Sequence, residues 1–365
     1  MNILKVRLAH KRGYDIVVGS RILNALGARL ARLEIGTDVL VVTNRTVKRR
    51  WGRRLHASLR GAGLRVRFEE VADTEKSKSI ATCIKLLMAI ADYGRLRRVF
   101  IVAFGGGVIG DLAGFVASIY KRGIPYVQVP TTLVGQVDSA IGGKVAVDLT
   151  VGKNLVGAFY QPRLVFSDVD LLTTLPRRQI TEGLAEVIKY GVMKDERLFR
   201  FLERSIDEIL GGDRGRLAVI VRRSSQIKAD VVRRDEYDTK GARALLNYGH
   251  TIGHALEAAA GYSKRYTHGM AVSVGMVAAN AIALEAGLMR PCAAARIERL
   301  LARAGLPTRA RGLSATAIYA AHRYDKKFVG KKNRFILATA NGAARVVENI
   351  PEGVIKRAIR MICGR

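Results

Sequence analysis

Apolar positions along the chain follow two rhythms. In the first half, short uninterrupted apolar runs recur: Asp38-Val39-Leu40-Val41-Val42-Thr43, Val99-Phe100-Ile101-Val102-Ala103-Phe104, Tyr126-Val127-Gln128-Val129 and Leu164-Val165-Phe166-Ser167-Asp168. Runs of this length without polar alternation mark strands buried on both faces. The helical patterns between them predict a mostly parallel sheet covered on both sides. Near Thr174-Leu175-Pro176 the rhythm changes to a helical one, as in Ile180–Val192 and Leu245–Ala260. Pro176 suits the first turn of a helix, and Thr174 is placed to cap it. One late segment, Phe335-Ile336-Leu337-Ala338-Thr339, reads as a strand. The apolar stretch Met270 to Leu284 contains Ser273 and Asn280 and is short for a bilayer span, so it reads as a buried helix. The pattern predicts an α/β N-terminal domain over residues 1–175 and a mainly α-helical C-terminal domain over residues 176–365. No internal repeat is visible.

With 365 residues, 49% of them apolar and 25% charged, the chain is long enough for two cores and ordinary for a folded protein. Its beginning, Met1-Asn2-Ile3-Leu4-Lys5, lacks the apolar run of a secretory signal. The three cysteines, Cys83, Cys292 and Cys363, are scattered without metal-ligand spacing. These features suggest reduced thiols in a cytoplasmic, non-membrane protein. The formal charge of +31 raises nucleic-acid binding as a reading. Against it, basic pairs such as Arg49-Arg50, Arg97-Arg98 and Arg233-Arg234 are spread along the chain, with no RNA-binding aromatic motif or basic tail. A positive field would instead steer a small anionic substrate inward.

Chemistry-bearing residues concentrate between 105 and 162. Gly105–Gly110 matches G-x-G-x-x-G after a strand, where glycine lets the backbone approach a pyrophosphate at a helix N-terminus. It lies about a hundred residues into the chain, and no acidic residue ends a strand about twenty residues later, so it does not open a standard two-halved dinucleotide fold. Thr131-Thr132, Asp138, Gly142-Gly143-Lys144 and Gly152-Lys153-Asn154 follow. That inventory suits a dinucleotide held beside a phosphorylated substrate.

Three of the six histidines fall between residues 250 and 268. His250 and His254 stand one helical turn apart on one face, a spacing that suits a metal or a phosphate clamp. The protease motif H-E-x-x-H is absent. Glu186 and Lys189, three apart in an apolar helical run, read either as a simple ion pair or with Glu186 as an oxygen ligand joining two histidines around Zn2+.

Taken together these motifs resemble the 3-dehydroquinate synthase family of the sugar phosphate cyclase superfamily. The likeness runs through Glu75-Lys76-Ser77-Lys78-Ser79, Gly105–Asp111, Gln136-Val137-Asp138-Ser139, Gly142-Gly143-Lys144, Gly152–Pro162, Gly183–Gly191, Asn247–His254 and His268-Gly269. It implies a cytoplasmic homodimer with a Rossmann-like N-terminal domain, and both NAD+ and a divalent metal, zinc or cobalt. It implies conversion of 3-deoxy-D-arabino-heptulosonate 7-phosphate, an anionic sugar phosphate, to 3-dehydroquinate and phosphate in the shikimate pathway. By motif, the metal ligands would be Glu186, His250 and His268. Cofactor contacts would come from Asp73, Glu75, Lys78, Gly106, Gly107, Val108, Ile109, Gly110, Asp111, Thr131, Thr132, Lys144, Lys153, Leu171 and Thr174. Catalytic roles would fall to Asp138, Lys144, Lys189, Asn247 and His254. Substrate binding would involve Asn154, Lys228, Arg243 and one of Lys326 or Lys327, with Arg122 reaching the neighbouring subunit's site. Another sugar phosphate cyclase and an NAD- and metal-dependent polyol dehydrogenase are the rival readings. The chain departs from the family pattern at Met270, where glutamate commonly follows His-Gly, so a carboxylate that would orient a metal ligand is missing there. Val145 and Asp148 stand where threonine and asparagine are frequent.

Overall fold

The computed structural model describes residues 1–8, 13–72, 74–94, 97–263, 265–323 and 333–364. Asp73, Lys326 and Lys327 lie outside the described residues. The chain divides into two compact units: Met1–Leu175 with Leu217–Tyr237, and Pro176–Arg216 with Asp238–Arg365. The segment Leu217–Tyr237 thus groups with the first unit, whereas chain order alone put all of 176–365 in the second.

The first unit holds a seven-stranded sheet. Its strands are β1 (Asn2–Arg7), β2 (Gly13–Gly19), β3 (Asp38–Thr43), β4 (Arg65–Glu70), β5 (Val99–Gly105), β6 (Tyr126–Pro130) and, after a separate hairpin of β7 (Lys144–Leu149) and β8 (Gly152–Phe159), β9 (Leu164–Asp168). Their order is β1-β2-β9-β6-β5-β3-β4. Only β1 runs antiparallel to its neighbour; every other pairing is parallel. The predicted apolar runs are therefore the buried inner strands.

Alternation assigns each strand residue to a face. Val39 and Val41 of β3 join Phe100 and Val102 of β5 under helices α1 (Leu26–Leu33) and α3 (Arg53–Gly61), the latter following the single turn α2 (Arg45–Val47). Leu40, Val42, Ile101 and Ala103 pack on the other face under α4 (Ile80–Gly94) and α5 (Gly107–Ile119). Chain order leaves β3 in one direction toward β4, and β5 in the other toward β6. The carboxyl ends of β3 and β5 therefore form a topological switch point, where open α/β sheets bind ligands.

The second unit is mainly helical: α6 (Arg177–Lys194), α7 (Glu196–Leu210), the first residues of α8 (Arg214–Arg234), α9 (His250–Ala259), α10 (His268–Glu285), α11 (Pro291–Arg303), α12 (Ala315–Arg323) and α13 (Glu352–Ile362). The hairpin β10 (Arg334–Ala340) and β11 (Ala343–Glu348) completes it. Helix α10 contains the apolar stretch expected to be buried. By length and composition it could cross a membrane, but it is mostly buried, packing on α6, α9, α11, α13 and β10.

Two local expectations differ from the structure. The helix expected over Leu245–Ala260 is broken: a 3-10 turn over Ala242–Asn247 ends before Gly249, whose φ of +79° is left-handed, and α9 starts afresh at His250. Thr174 does not cap α6. Pro176 occupies the cap position, and the Thr174 hydroxyl accepts from Trp51 Nε1 at 3.1 Å instead.

Candidate functional site

In the first unit the glycine turn sits at the switch point. Gly106 precedes α5 in extended conformation and, as its N-cap residue, has no side chain to accept from the first turn, which leaves first-turn N–H groups available. Glycine is needed here for space. A Cβ on Gly106 would lie 3.0 Å from Thr132 Cγ2, and one on Gly110 would lie 2.8 Å from Gln128 Oε1. The Thr132 hydroxyl accepts from Gly135 N–H at 3.1 Å. The Thr131 hydroxyl is buried with no hydrogen-bond partner among the described residues, so the turn carries an unsatisfied polar atom beside it.

Around this turn the expected polar residues fall into linked pairs. Lys78 Nζ donates to Asp111 Oδ2 at 2.6 Å and also to Asn154 Oδ1. Burial pushes the Asp111 carboxyl above the usual carboxylate range, and Lys78 only partly offsets it. Asn154 holds a left-handed φ of +55° and donates its backbone N–H to Asp148 Oδ1 at 2.8 Å. Asp148 N–H in turn donates to Lys78 O at 2.7 Å. Asp148, a departure from the family pattern, thus ties the hairpin to the Lys78 segment. Val145, the other, is buried against Gly114 of α5. Lys153 Nζ lies 3.6 Å from Glu75 Oε1, and Lys144 Nζ lies 5.8 Å from the Phe159 ring centre. Lys228 Nζ, on α8, donates to Asp138 Oδ1 at 2.6 Å and to its carbonyl at 2.7 Å.

Val108 and Ile109 belong to the first helical turn after Gly106, Ile109 with its side chain in the core. Leu171 is buried in the opposite core cluster, and Thr174 is tied to Trp51. Arg122, at a left-handed φ of +61°, follows the far end of α5. The thirteen residues of that helix separate it from the glycine turn by about 20 Å.

In the second unit three helices converge through close backbone approach. A Cβ on Gly269 of α10 would collide with Glu182 O of α6, and one on Gly275 would collide with Gly249 O just before α9. The contact brings Glu186 of α6, His250 of α9 and His268 of α10 together, with one ligand atom of each within 4.8 Å of the others. His250 Nε2 is 3.6 Å and His268 Nε2 is 3.3 Å from the same oxygen, Glu186 Oε1. Lys189 Nζ lies against Glu186 Oε2, and both side chains are almost fully buried. Neither Glu186 oxygen accepts a well-directed hydrogen bond from the described residues. A buried carboxylate and two imidazoles facing one point match the donor set of a zinc or cobalt site with one position open.

The electrostatics of Glu186 and His250 agree with that donor set, while His268 holds a proton that an ion would have to displace. Desolvation acts to raise the Glu186 carboxyl, but Lys189 and the two imidazoles outweigh it and hold the group well below its usual range. Burial, with Lys189 beside it, holds His250 neutral. Desolvation acts to lower His268, yet its contacts with Glu186 and Glu257 prevail and raise it. His254 has its ring centre 5.5 Å from that of His250 and 6.4 Å from that of His268. It belongs to a second grouping with Glu257 and His268. Arg243 is buried in the turn before α9, and Asn247 closes that turn.

Two contributors were missed in the sequence. The Tyr248 carbonyl lies 3.1 Å from His250 Nδ1, and Glu257 Oε2 lies 3.4 Å from His268 Nδ1. Glu257 stands seven residues after His250, two turns along the same helix face, and that spacing could have found it.

Family models match almost without a gap: 3-dehydroquinate synthase N-terminal over residues 69–182 and 3-dehydroquinate synthase C-terminal over 183–328. A 3-dehydroquinate synthase of Pelotomaculum thermopropionicum is 50% identical over 307 residues, covering 84% of this chain and 82% of that one. Among solved structures, 2-epi-5-epi-valiolone synthase from Streptomyces hygroscopicus subsp. jinggangensis, with NAD+ and Zn2+ bound, superposes with a TM-score of 0.87 at 27% identity over 98% of this chain and 99% of that one. A 2-deoxy-scyllo-inosose synthase complexed with carbaglucose-6-phosphate, NAD+ and Co2+ gives a TM-score of 0.88 at 27% identity over 99% and 100%. With its glycine turn and its carboxylate–imidazole cluster both inside the matched span, the chain belongs to the 3-dehydroquinate synthase family.

Proposed function

We propose that the chain converts 3-deoxy-D-arabino-heptulosonate 7-phosphate to 3-dehydroquinate and phosphate, with NAD+ and a zinc or cobalt ion as resident cofactors. The observation that carries this reading is the convergence of Glu186, His250 and His268 in a chain of this family. Those three would hold the ion. The Gly106–Asp111 turn, Thr131, Thr132, Lys78 and Lys153 would hold NAD+. When bound, the two cofactors supply reversible hydride exchange at a ring carbinol and Lewis acidity at its oxygen.

The chain's own residues then have defined tasks. Lys144 and Asn154 bind the phosphate that leaves as an anion, where ammonium and amide donors stabilise developing charge. Arg243 pairs with the substrate carboxylate, since its planar fork bonds both oxygens. Lys228 grips Asp138 through carboxylate and carbonyl, fixing the Asp138 oxygens for substrate hydroxyls. Because Lys228 is committed to Asp138, discrimination against sugar phosphates without a carboxylate rests on Arg243. Lys189, Asn247 and His254 would take the remaining polar roles toward the substrate.

The expected assembly is a homodimer. Ile80, Ile84 and Met88 are 38%, 54% and 68% exposed along one face of α4, an apolar stripe that suits a second copy. A phosphate contact from Arg122 would be made across that pair. The three free cysteines favour a cytoplasmic location, and the positive charge serves an anionic small substrate rather than nucleic acid.

The test is phosphate release from heptulosonate 7-phosphate by the purified chain. Release is expected to fall on adding chelator or stripping NAD+, and to return on adding each back, without build-up of reduced nicotinamide. Full-rate release after both are verifiably removed would overturn the reading. Sustained accumulation of reduced nicotinamide would point to the polyol dehydrogenase instead.

A further inference from the structure

We propose that Glu257 is the residue that orients His268 for the ion, taking the task that Met270 cannot perform; the inference rests on the metal site assigned above. Glu257 is buried on α9. Its Oε2 lies 3.4 Å from His268 Nδ1, while Nε2 of the same ring lies 3.3 Å from Glu186 Oε1. An ionised carboxylate only accepts hydrogen bonds, so Glu257 holds a ring proton on Nδ1, and an ion that displaces the Nε2 proton then meets the lone pair on that nitrogen. His250 is arranged the same way by a different acceptor. Its Nδ1 lies 3.1 Å from the Tyr248 carbonyl, and its Nε2 lies 3.6 Å from Glu186 Oε1. Both imidazoles are therefore tethered through Nδ1 and present Nε2 to one carboxylate oxygen.

The competing grouping of His254, Glu257 and His268 would use His268 Nδ1 for the ion and make Glu257 a ligand. It leaves His250 Nε2 and Glu186 without a role, so the geometry favours Glu257 as the acceptor behind the ligand. Met270, two residues after His268, offers only a weak thioether acceptor and lines a surface cavity with Arg265, Tyr266 and Pro307. Glu257 acts as a positioning residue through His268, and such partners are worth roughly 10- to 100-fold in metal affinity.

The experiment titrates metal-free full-length protein with Co2+ and Zn2+ against a chromogenic chelator and records the visible Co2+ absorption. Glu257→Gln is expected to bind each ion about 10- to 100-fold more weakly, with a shifted Co2+ band. Glu257→Asp is expected to recover part of the affinity, and His254→Ala to lose clearly less affinity than Glu257→Gln. Wild-type affinity and spectrum in folded Glu257→Gln would overturn the proposal. So would a loss in His254→Ala equal to that in Glu257→Gln, because the ion would then lie in the competing group. Wild-type protein that takes up no Co2+ at all would overturn the metal-site reading itself, a result distinct from either.

Discussion

The Glu186–Lys189 pair is the sharpest test of the metal-free site. Their side chains are 1% and 2% exposed, which takes the pair out of the surface class, worth about 0–1 kcal/mol, and into the buried class. Breaking a buried pair from one side costs about 3–5 kcal/mol, because the remaining charge loses its partner away from water. The two sides are not equivalent here. Replacing Lys189 with Met leaves Glu186 facing His268 Nε2 at 3.3 Å, so its charge keeps a partner. Replacing Glu186 with Met leaves Lys189 and His268 facing each other without that carboxylate. Metal-free Glu186→Met is therefore expected to lose about 3–5 kcal/mol and Lys189→Met about 2 kcal/mol. At roughly 3 °C per kcal/mol for a unit of this size, the first should lower Tm by about 10 °C. The double variant buries two apolar chains and should cost at least about 2 kcal/mol less than the sum of the singles. Added Zn2+ should stabilise the wild type and Lys189→Met, but not Glu186→Met. Chemical and thermal unfolding by circular dichroism measures all four proteins. Single-variant costs below about 1 kcal/mol that add in the double variant would refute the reasoning, since both charges would then be solvated.

Three further outcomes follow from the same geometry. Arg243→Ala is expected to lower kcat/KM for the heptulosonate phosphate by about 2–4 kcal/mol, roughly 30- to 1000-fold, and unchanged kinetics would reject Arg243 as the carboxylate anchor. Asp38, fully buried, accepts from Arg65 Nε at 2.6 Å and Nη2 at 2.8 Å and from Arg97 Nη1 at 3.0 Å, and the Arg65 guanidinium holds its carboxyl well below the usual range. Its stabilisation is present above the unfolded pKa of about 3.9 and is lost as pH falls toward the folded value. Asp38→Asn should therefore cost about 2–3 kcal/mol near neutral pH, less than a fully buried pair because both guanidinium groups are partly exposed, and the gap should close in acid; parallel acid-unfolding curves would contradict this. Gly275→Ala places a methyl into the Gly249 backbone and should cost about 1–3 kcal/mol or more while weakening Co2+ binding through His250, both read on one protein sample.

Most of the fold was legible because its signals are local. Strands β3, β5, β6 and β9 are buried on both faces, so their apolar runs need no context to be read. The break before α9 was not legible. Side-chain periodicity runs smoothly from Leu245 to Ala260, while the cause of the break is Gly249 meeting Val272 and Met276, more than twenty residues away. The return of Leu217–Tyr237 to the first unit is likewise invisible in chain order, because it depends on pairings such as Lys228 with Asp138, ninety residues apart.

The candidate site divides along the same line. The glycine turn announces itself, since its chemistry needs consecutive small residues. Among the histidines, one-turn spacing ties His250 to His254, yet the imidazole that shares Glu186 Oε1 with His250 is His268, on another helix. Spacing within one helix says which side chains share a face; it does not say which ring nitrogen points where. That second fact is set by the acceptor behind each ring, the Tyr248 carbonyl for His250 and the Glu257 carboxylate for His268. With methionine at position 270, the acceptor behind His268 comes from another helix. What the site requires is the hydrogen bond at Nδ1, and in this chain Glu257 of α9 is placed to accept it.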